Sequence, residues 1–318
     1  MPVSRNLISK NIFRVLFGLI TLSSLIFVFL RVYGNWELIR ASTQSKPIVP
    51  MVLISGVVYF FITSLLPAAW QQLVFWISNT KTNYLDSYKI YGQTQIAKYL
   101  PGNIFHLVSR QVNADKLGVS QGSILISSLL ELMSSLLVAI TICLVSYVFG
   151  FRFQLENANK LLLSFLGFVV VVVVLVLVFP RLLQKINGLS ESMKFLEDQR
   201  SQPKSMTQAL TKVLFLTAAF FILTSLLFSS LVFLVNYGNS KIHLLALFPI
   251  YCLSYVVGLI TPGAPAGFGV REAIMIVTLT PMIGNSEATL LALLFRMSTI
   301  IGDILFFVSA TLLKRPQK

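Results

Sequence analysis

The chain has 318 residues, of which 56% are hydrophobic and only 11% are charged, and its mean hydropathy is +0.82. This composition excludes an ordinary soluble globular protein and is typical of an integral membrane protein. The net charge of +14 does not predict nucleic-acid binding, because the basic residues are scattered over loops and form no compact basic domain. We expect the charge to hold cytoplasmic loops beside anionic lipid headgroups.

Long apolar runs predict seven transmembrane helices, since about 20 residues of α-helix cross roughly 30 Å of hydrocarbon. The runs are residues 11–30, 48–66, 122–149, 161–179, 211–235, 242–260 and 287–313. Two further segments, 86–106 and 266–281, are helix-like but too short or too polar to be assigned as crossings, and we interpret both as broken or re-entrant helices. The sequence therefore predicts an all-α polytopic membrane protein with one membrane domain over residues 1–318.

Basic residues in short loops predict which ends of the spans face the cytoplasm. They cluster before the first span and after the fourth: Arg5, Lys10, Arg14, Arg181, Lys185, Lys194, Arg200, Lys204 and Lys212. We expect a cytoplasmic N-terminus, with the first run retained as an anchor because no small-residue cleavage site follows it. The basic C-terminal tail favours the cytoplasm if residues 266–281 cross the membrane, whereas a re-entrant segment places the tail outside. Both alternatives stay open.

The first interruption of apolar sequence lies between Tyr91 and Arg110, where Pro101 and Gly102 break what would otherwise be one helix. Beyond the break, Asn103, His106 and Arg110 follow helical spacing and form one polar stripe. This stripe is expected to face a polar cavity or the headgroup layer. A single histidine in such a stripe is more often a hydrogen-bonding or interfacial residue than a catalyst.

Away from the ends of the apolar runs there are three ionisable residues of interest: Glu131 in the third run, and Arg296 and Asp303 in the last. A charge at the centre of a membrane helix costs about 2.5–3.5 kcal/mol on an insertion scale, so these side chains avoid lipid. Arg296 and Asp303 are about 10 Å apart along a helix axis, too far for a simple pair. Each therefore needs a partner elsewhere. The residues either lock helices together, for example Arg296 with Glu131, or line a substrate path.

The second interruption runs from Thr261 to Ala273 and contains five helix breakers, Pro262, Gly263, Pro265, Gly267 and Gly269. Irregular backbone in a membrane requires partners from protein or from a water-filled cavity. A helix starting near Phe268 would present unpaired amides to the interior, and Arg271 would add a full charge. We interpret this as an anion site, with a lipid phosphate as the commonest anion at this depth. Glu272 is expected to stabilise the first turn or to pair with a basic neighbour.

The two interruptions are similar, because a Pro-Gly pair follows a long apolar span in each. Interrupted helices at corresponding places in two halves indicate a midplane binding site in transporters built from repeats. The sequence thus predicts half-repeats 1–180 and 211–313, joined by a basic cytoplasmic loop 181–210. The cysteines Cys143 and Cys252 lie in apolar spans and predict neither a metal site nor a disulfide.

Several stretches together resemble the lysylphosphatidylglycerol synthase/flippase transmembrane family. They are Gln95 to Asn103, Glu131, Pro265 to Glu272, and Arg296 with Asp303. The resemblance implies a polytopic bacterial or archaeal membrane protein whose relatives move an aminoacylated phospholipid between leaflets, while other relatives accompany glycolipid or polysaccharide assembly. Bifunctional members also carry a soluble aminoacyl-transfer domain. Since this sequence stops at Lys318, we do not expect the chain alone to synthesise lysyl lipid.

The expected function is translocation of an anionic or aminoacylated phospholipid, or of a lipid-linked glycan, across the cytoplasmic membrane of a prokaryote. The predicted substrate-binding residues are Lys98, Tyr99, Asn103, His106, Arg110, Glu131, Gly267, Gly269, Arg271, Glu272, Arg296 and Asp303. The predicted hinge residues are Pro101, Gly102, Pro262, Gly263 and Pro265. No cofactor or metal is expected, and no phosphate-binding Gly-x-x-x-x-Gly-Lys-Ser/Thr motif is present.

Two other functions remain as alternatives. One is a non-catalytic membrane subunit that supports a glycosyltransferase or a lipid-modifying synthase, docked on the basic loop 181–212. The other is a lipid-modifying transferase that uses His106 or Glu272 as a base, which would require that residue within hydrogen-bond reach of a reacting atom. No catalytic residue is predicted.

Overall fold

The computed structural model describes residues 47–100, 105–148, 203–235, 244–261 and 264–313, with separate positions between 26 and 40. These residues form nine helices of eight or more residues, α1 to α9. Their bounds are α1 Ile48–Thr63, α2 Leu65–Ser78, α3 Tyr84–Gln95, α4 Phe105–Val112, α5 Gln121–Val148, α6 Pro203–Val235, α7 Leu244–Ile260, α8 Val270–Ile283 and α9 Asn285–Leu312. Short 3-10 helices cover Ile96–Tyr99, Ala114–Leu117 and Pro265–Gly267, and no strand occurs in the described ranges. The predicted all-α class is confirmed.

Within those ranges, five helical segments are long and apolar enough to cross a membrane. They are Ile48–Ser78, Gln121–Ser146, Thr207–Val235, Pro265–Ile283 and Asn285–Leu312. The predicted spans 11–30 and 161–179 lie outside the described residues, and α7 is a shorter apolar helix of 17 residues. Residues 266–281, interpreted from sequence as broken or re-entrant, belong to one of the five. The multi-pass architecture is therefore present, but the count of seven crossings with two re-entrant helices is not confirmed.

Helix α2 continues α1 beyond Ser64 and was not predicted, because the sequence-derived span ends at residue 66. Helix α2 ends at its C-cap residue Asn79, which has a left-handed backbone (φ 51°). Gln71 then donates to the carbonyl of Thr82 at 2.5 Å, and the side chain of Asn83 accepts from the amide of Leu85 to begin α3. This turn reverses the chain, so α3 returns into the bundle.

Helix α9 is the axis against which the other elements are placed. Helix α1 runs parallel to it, with Gly56 beside Ile301 and Gly302 beside Tyr59 and the Phe60 amide. Glycines at such a crossing allow two backbones to approach closely, as is common between membrane helices.

Adding a methyl group at Gly302 is expected to separate α1 from α9. The new Cβ of Gly302→Ala would lie 2.6 Å from Tyr59 Cδ1 and 2.8 Å from the Gly56 carbonyl oxygen. Overpacking of this kind costs about 1–3 kcal/mol, which thermal unfolding in detergent would measure. Gly34→Ala is the control, since a Cβ there meets no atom within 4 Å. Equal melting temperatures for the two variants would contradict close α1–α9 packing.

Helix α3 runs antiparallel to α9, starting beside the C-terminal end of α9. The Tyr88 hydroxyl lies 2.7 Å from that of Ser309, and Lys89 Nζ donates to the Leu313 carbonyl at 2.8 Å. Ten residues further along, Tyr99 reaches Asp303. The segment that leads into the first interruption, Ile96–Tyr99, therefore lies beside the middle of α9.

Helices α7 and α8 approach α9 from its other end. Gly258 near the end of α7 packs on Arg271 at the start of α8, and Glu272 lies opposite Arg296 on α9. Arg296 is about 16 Å along the axis from Asn285, the first residue of α9. The second interruption therefore also meets the middle of α9.

Aromatic contacts fill the space between these helices. Phe228 on α6 packs edge-on against Phe295 on α9 at 5.1 Å between ring centroids, and Tyr88 packs on Phe306 at 4.8 Å. Large apolar side chains also point outward, as expected for a surface covered by lipid. Examples are Val49, Leu53, Ile54 and Phe61 on α1, and Met297, Val308 and Leu312 on α9.

Candidate functional site

Seven charged side chains meet where the two interruptions face the middle of α9. The cations are Lys98, Arg110, Arg271 and Arg296, and the carboxylates are Glu131, Glu272 and Asp303. Arg110 is 1% exposed and Asp303 is 3% exposed. Buried charges at this depth require partners or a polar ligand.

Glu131 on α5 is paired with Arg110 on α4. Arg110 Nη1 lies 2.5 Å from one carboxylate oxygen, and the Tyr91 hydroxyl donates to the other. The guanidinium also stacks on the Tyr91 ring at 3.8 Å and donates to Gln95 Oε1 at 3.3 Å. The expected example of Arg296 with Glu131 is wrong, because Arg110 occupies that carboxylate and α8 supplies the partner of Arg296.

Asp303 on α9 holds the segment that follows α3. Lys98 Nζ lies 2.7 Å from Asp303 Oδ2, and the Tyr99 hydroxyl donates to the same oxygen at 2.6 Å. Both donors belong to the 3-10 helix Ile96–Tyr99, which lies just before the Pro101-Gly102 break in the sequence. One carboxylate thus ties the end of that segment to the axis of the bundle.

Arg296 on α9 holds the second interruption in the same way. Its Nε lies 2.9 Å from Glu272 Oε1, and its Nη2 donates to the Ala266 carbonyl at 3.4 Å. The other Glu272 oxygen accepts from the Gly269 amide at 2.6 Å and caps α8. Glu272 therefore has both of the structural roles considered from the sequence.

Arg271 differs from the other three cations because no carboxylate within the described ranges lies within ion-pair distance. Its guanidinium lies over the Tyr255 ring at 4.6 Å, and its Nε has no hydrogen-bond partner there. Each of the three carboxylates is paired with a different cation. Arg271 thus leaves the described cluster with one more positive than negative charge.

Two neighbouring cavities meet at Arg271. The larger encloses about 660 Å³ of space free of protein atoms, part of it open to the exterior, and the smaller about 310 Å³. Both are lined by Tyr59 and Arg271. Lys98, His106, Arg110 and Glu131 line the larger cavity, whereas Glu272 and Arg296 line the smaller.

His106 faces the larger cavity from α4, outside the five candidate spanning helices. Its Nδ1 has no hydrogen-bond partner among the described residues. Burial, with Arg110 and Lys98 nearby, lowers the pKa of His106 to about 3. The imidazole is therefore neutral near pH 7 and does not add to the positive charge of the cluster.

The remaining predicted residues are placed as follows. Gly267 packs against Arg271, Gly269 caps α8, and Pro265 begins the 3-10 turn before α8. Asn103 and the hinge residues Pro101, Gly102, Pro262 and Gly263 lie outside the described residues. Within the described ranges no three His, Cys, Asp or Glu side chains group as metal ligands.

Sequence reasoning missed Tyr59, Tyr91, Tyr255 and Gly258. The three tyrosines line the larger cavity, and Tyr91 and Tyr255 also stack on Arg110 and Arg271. Tyrosines in the helices of a membrane protein are ordinary core residues, so only their proximity to charges reveals this role. Gly258 carried no signal, since a single glycine in an apolar helix is common.

Comparison with known proteins gives one family. A search of curated proteins found no match to this chain. The family model described as the lysylphosphatidylglycerol synthase TM region matches residues 11–306, nearly the whole chain. This confirms the resemblance seen in the interrupted segments and in the interior charges. The chain is therefore a multi-pass membrane protein that belongs to the lysylphosphatidylglycerol synthase transmembrane-region family.

Proposed function

We propose that this protein moves the headgroup of a phospholipid or lipid-linked glycan across the cytoplasmic membrane of a prokaryote, while the acyl tails stay in lipid. The observation that carries the proposal is Arg271, a cation without a described carboxylate partner that lies where two polar cavities meet. The three ion pairs by themselves have a sufficient explanation in holding helices together. Arg271 does not, because it has no counter-charge among the described residues, and a cation inside a membrane without one is costly unless it serves a ligand.

The chemistry of Arg271 favours an anionic group such as a lipid phosphate. A guanidinium presents a planar fork of donors that matches phosphate oxygens in a bidentate arrangement. Arg271 also lies in the first turn of α8, where the helix dipole adds to the attraction for an anion. A headgroup entering either cavity would therefore meet its strongest attraction at Arg271.

The directions of the interrupted segments support a path through the middle of the membrane. The segment that ends at Tyr99 comes from the C-terminal end of α9, whereas α7 and α8 come from its N-terminal end. Two interrupted elements that enter from opposite faces and meet at the midplane are the arrangement of transporters built from inverted repeats. This supports the predicted half-repeats.

The same geometry bears on the orientation of the chain. Helix α8 is about 21 Å long, and its first turn already lies beside the middle of α9. We infer that α7 and α8 together form a hairpin that enters and leaves by one face. Helix α9 then ends on the face where α3 begins, beside Lys89. On this inference the basic C-terminal tail is cytoplasmic although residues 266–281 do not cross.

Transport by liposomes that contain the purified protein tests the proposal. We expect movement of fluorescent aminoacyl-phospholipid or of an undecaprenyl-linked sugar analogue, and a loss of about ten- to a hundredfold in Arg271→Ala. The estimate follows from the roughly 1.5–3 kcal/mol of a charged hydrogen bond. Lys81→Ala, which removes an exposed lysine, is the control and should keep the wild-type rate.

Two results would reject the proposal. One is an Arg271→Ala variant that inserts and still transports at the wild-type rate. The other is no movement of either lipid by the wild-type protein. If the inactive wild-type protein copurifies stably with a glycosyltransferase or a synthase, the accessory-subunit function replaces translocation. Conversion of a labelled lipid by the purified protein would instead support a transferase.

A further inference from the structure

The side chain of Arg271 packs against the backbones of two glycines from different elements, which also approach each other closely. A Cβ added to Gly258 on α7 would lie 2.8 Å from Arg271 Nε and would also collide with Arg271 Cγ. A Cβ added to Gly267 would lie 2.7 Å from the same Nε and 3.0 Å from Cγ. Real Cβ contacts below 3.0 Å are essentially never seen, and each position would have at least one, so the arginine stem fits there because both positions lack a side chain.

The two glycines have different reasons to be glycine. Gly267 has a left-handed backbone (φ 71°), which by itself favours glycine. Gly258 lies in the helical part of α7 with no positive φ, where glycine costs about 0.5–1 kcal/mol relative to alanine. Its backbone therefore gives no reason for glycine, whereas the space taken by Arg271 does.

We propose that Gly258 is a positioning residue that fixes the guanidinium of Arg271 for an anionic headgroup. The inference rests on the proposed function. An ion pair would hold the guanidinium but would also occupy its donors. Close packing of the stem against Gly258 and Gly267, with the Tyr255 ring beneath the guanidinium at 4.6 Å, buries Nε and holds the group, and it leaves the two terminal nitrogens for a ligand. Such preorganisation raises affinity because less freedom is lost on binding.

A double-mutant cycle tests whether Gly258 acts through Arg271. The variants are Gly258→Ala, Arg271→Ala and the double variant. Two quantities are measured in each: the rate of lipid transport, and the rise in melting temperature when phosphatidylglycerol is added to micelles of a non-ionic detergent that contains no phosphate. We expect Gly258→Ala to weaken phosphatidylglycerol binding about tenfold when Arg271 is present. We expect no further loss when Arg271 is already alanine.

Gly56→Ala is the matched control. Its new Cβ would lie 2.7 Å from Ile301 Cγ2 at the α1–α9 crossing, a collision of similar size that does not involve Arg271. It should lower the melting temperature but leave the phosphatidylglycerol-dependent rise intact. If Gly258→Ala behaves like Gly56→Ala, or acts equally in both Arg271 backgrounds, Gly258 is only a packing residue and the inference fails.

A second variant keeps the inference testable if Gly258→Ala does not fold. Arg271→Lys keeps the charge but lacks the Nε and the fork that the glycines and Tyr255 hold, so it should lose most of the phosphatidylglycerol effect. Full retention of that effect would show that charge alone suffices and would overturn the role of Gly258.

The two readouts also separate this inference from the proposed function. If the wild-type protein does not transport but its lipid stabilisation depends on both Arg271 and Gly258, translocation fails and the positioning role stands. If Arg271→Ala leaves lipid stabilisation unchanged, no anion site exists at Arg271 and the positioning role fails with it.

Discussion

Replacing Glu131 by leucine is expected to be the most destabilising single change in the interior. Arg110 is 1% exposed, and Glu131 is its only ion-pair partner within the described ranges. The substitution would leave a buried guanidinium without a counter-charge and remove the acceptor of the Tyr91 hydroxyl. Breaking a buried pair from one side costs about 3–5 kcal/mol. Chemical or thermal unfolding of the detergent-solubilised protein would measure the loss.

The matched control removes both charges. In Arg110→Met/Glu131→Leu, apolar side chains of similar length fill the same space, and replacing a complete buried pair in this way is often neutral or stabilising. We therefore expect the double variant to recover most of the stability that Glu131→Leu loses. A double variant as unstable as the single one would show that the cost lies in packing around Glu131 rather than in the unpaired Arg110.

Asp303→Asn is expected to release the first interrupted segment from α9. The carboxylate holds Lys98 at 2.7 Å and the Tyr99 hydroxyl at 2.6 Å, and the amide keeps the shape of the side chain but not its charge. We expect a loss of about 1.5–3 kcal/mol, the range for hydrogen bonds to charged groups. The expected loss of stability is smaller than for Glu131→Leu because the Lys98 side chain is 18% exposed, so water can partly solvate its charge. Transport should also fall.

Hydrogen exchange locates this effect. Amides of residues 96–99 should exchange faster in Asp303→Asn while those at the centre of α9 keep their protection, because opening of the segment is local. The control is Asp86→Asn, which makes the same substitution on α3, the helix before residues 96–99, at a residue without a described ion pair. The charge-reversed pair Lys98→Asp/Asp303→Lys should restore part of the protection. Unchanged exchange at 96–99 in Asp303→Asn would rule out the anchoring role of Asp303.

Much of the helical arrangement was predictable because hydropathy is a local property. The predicted spans 122–149 and 287–313 agree with α5 and α9 to within two residues at each end. Helix α2 was missed because Gln71 and Gln72 lower the hydropathy beyond residue 66. Its Trp70 and Leu73 side chains are nevertheless completely buried. A helix packed inside a protein bundle tolerates polar residues that a helix facing lipid does not.

The charged residues of the site were also predictable, because Glu131, Arg296 and Asp303 are rare exceptions within apolar runs. Their partners were not. Lys98 and Asp303 are 205 positions apart, and Glu131 pairs with Arg110 rather than with Arg296. Helical spacing shows which side chains share a face of one helix, but not which face of another helix lies opposite.

By itself, the sequence determined that the chain is helical and embedded in a membrane, that two segments interrupt its helices, and that several charges must be buried. These properties follow from the cost of exposing polar groups to lipid, which acts on each segment separately. The tertiary structure alone decided that three carboxylates pair with three cations and that Arg271 remains between two cavities. Pairing depends on distances between helices remote in sequence, and those distances are fixed only when the helices pack.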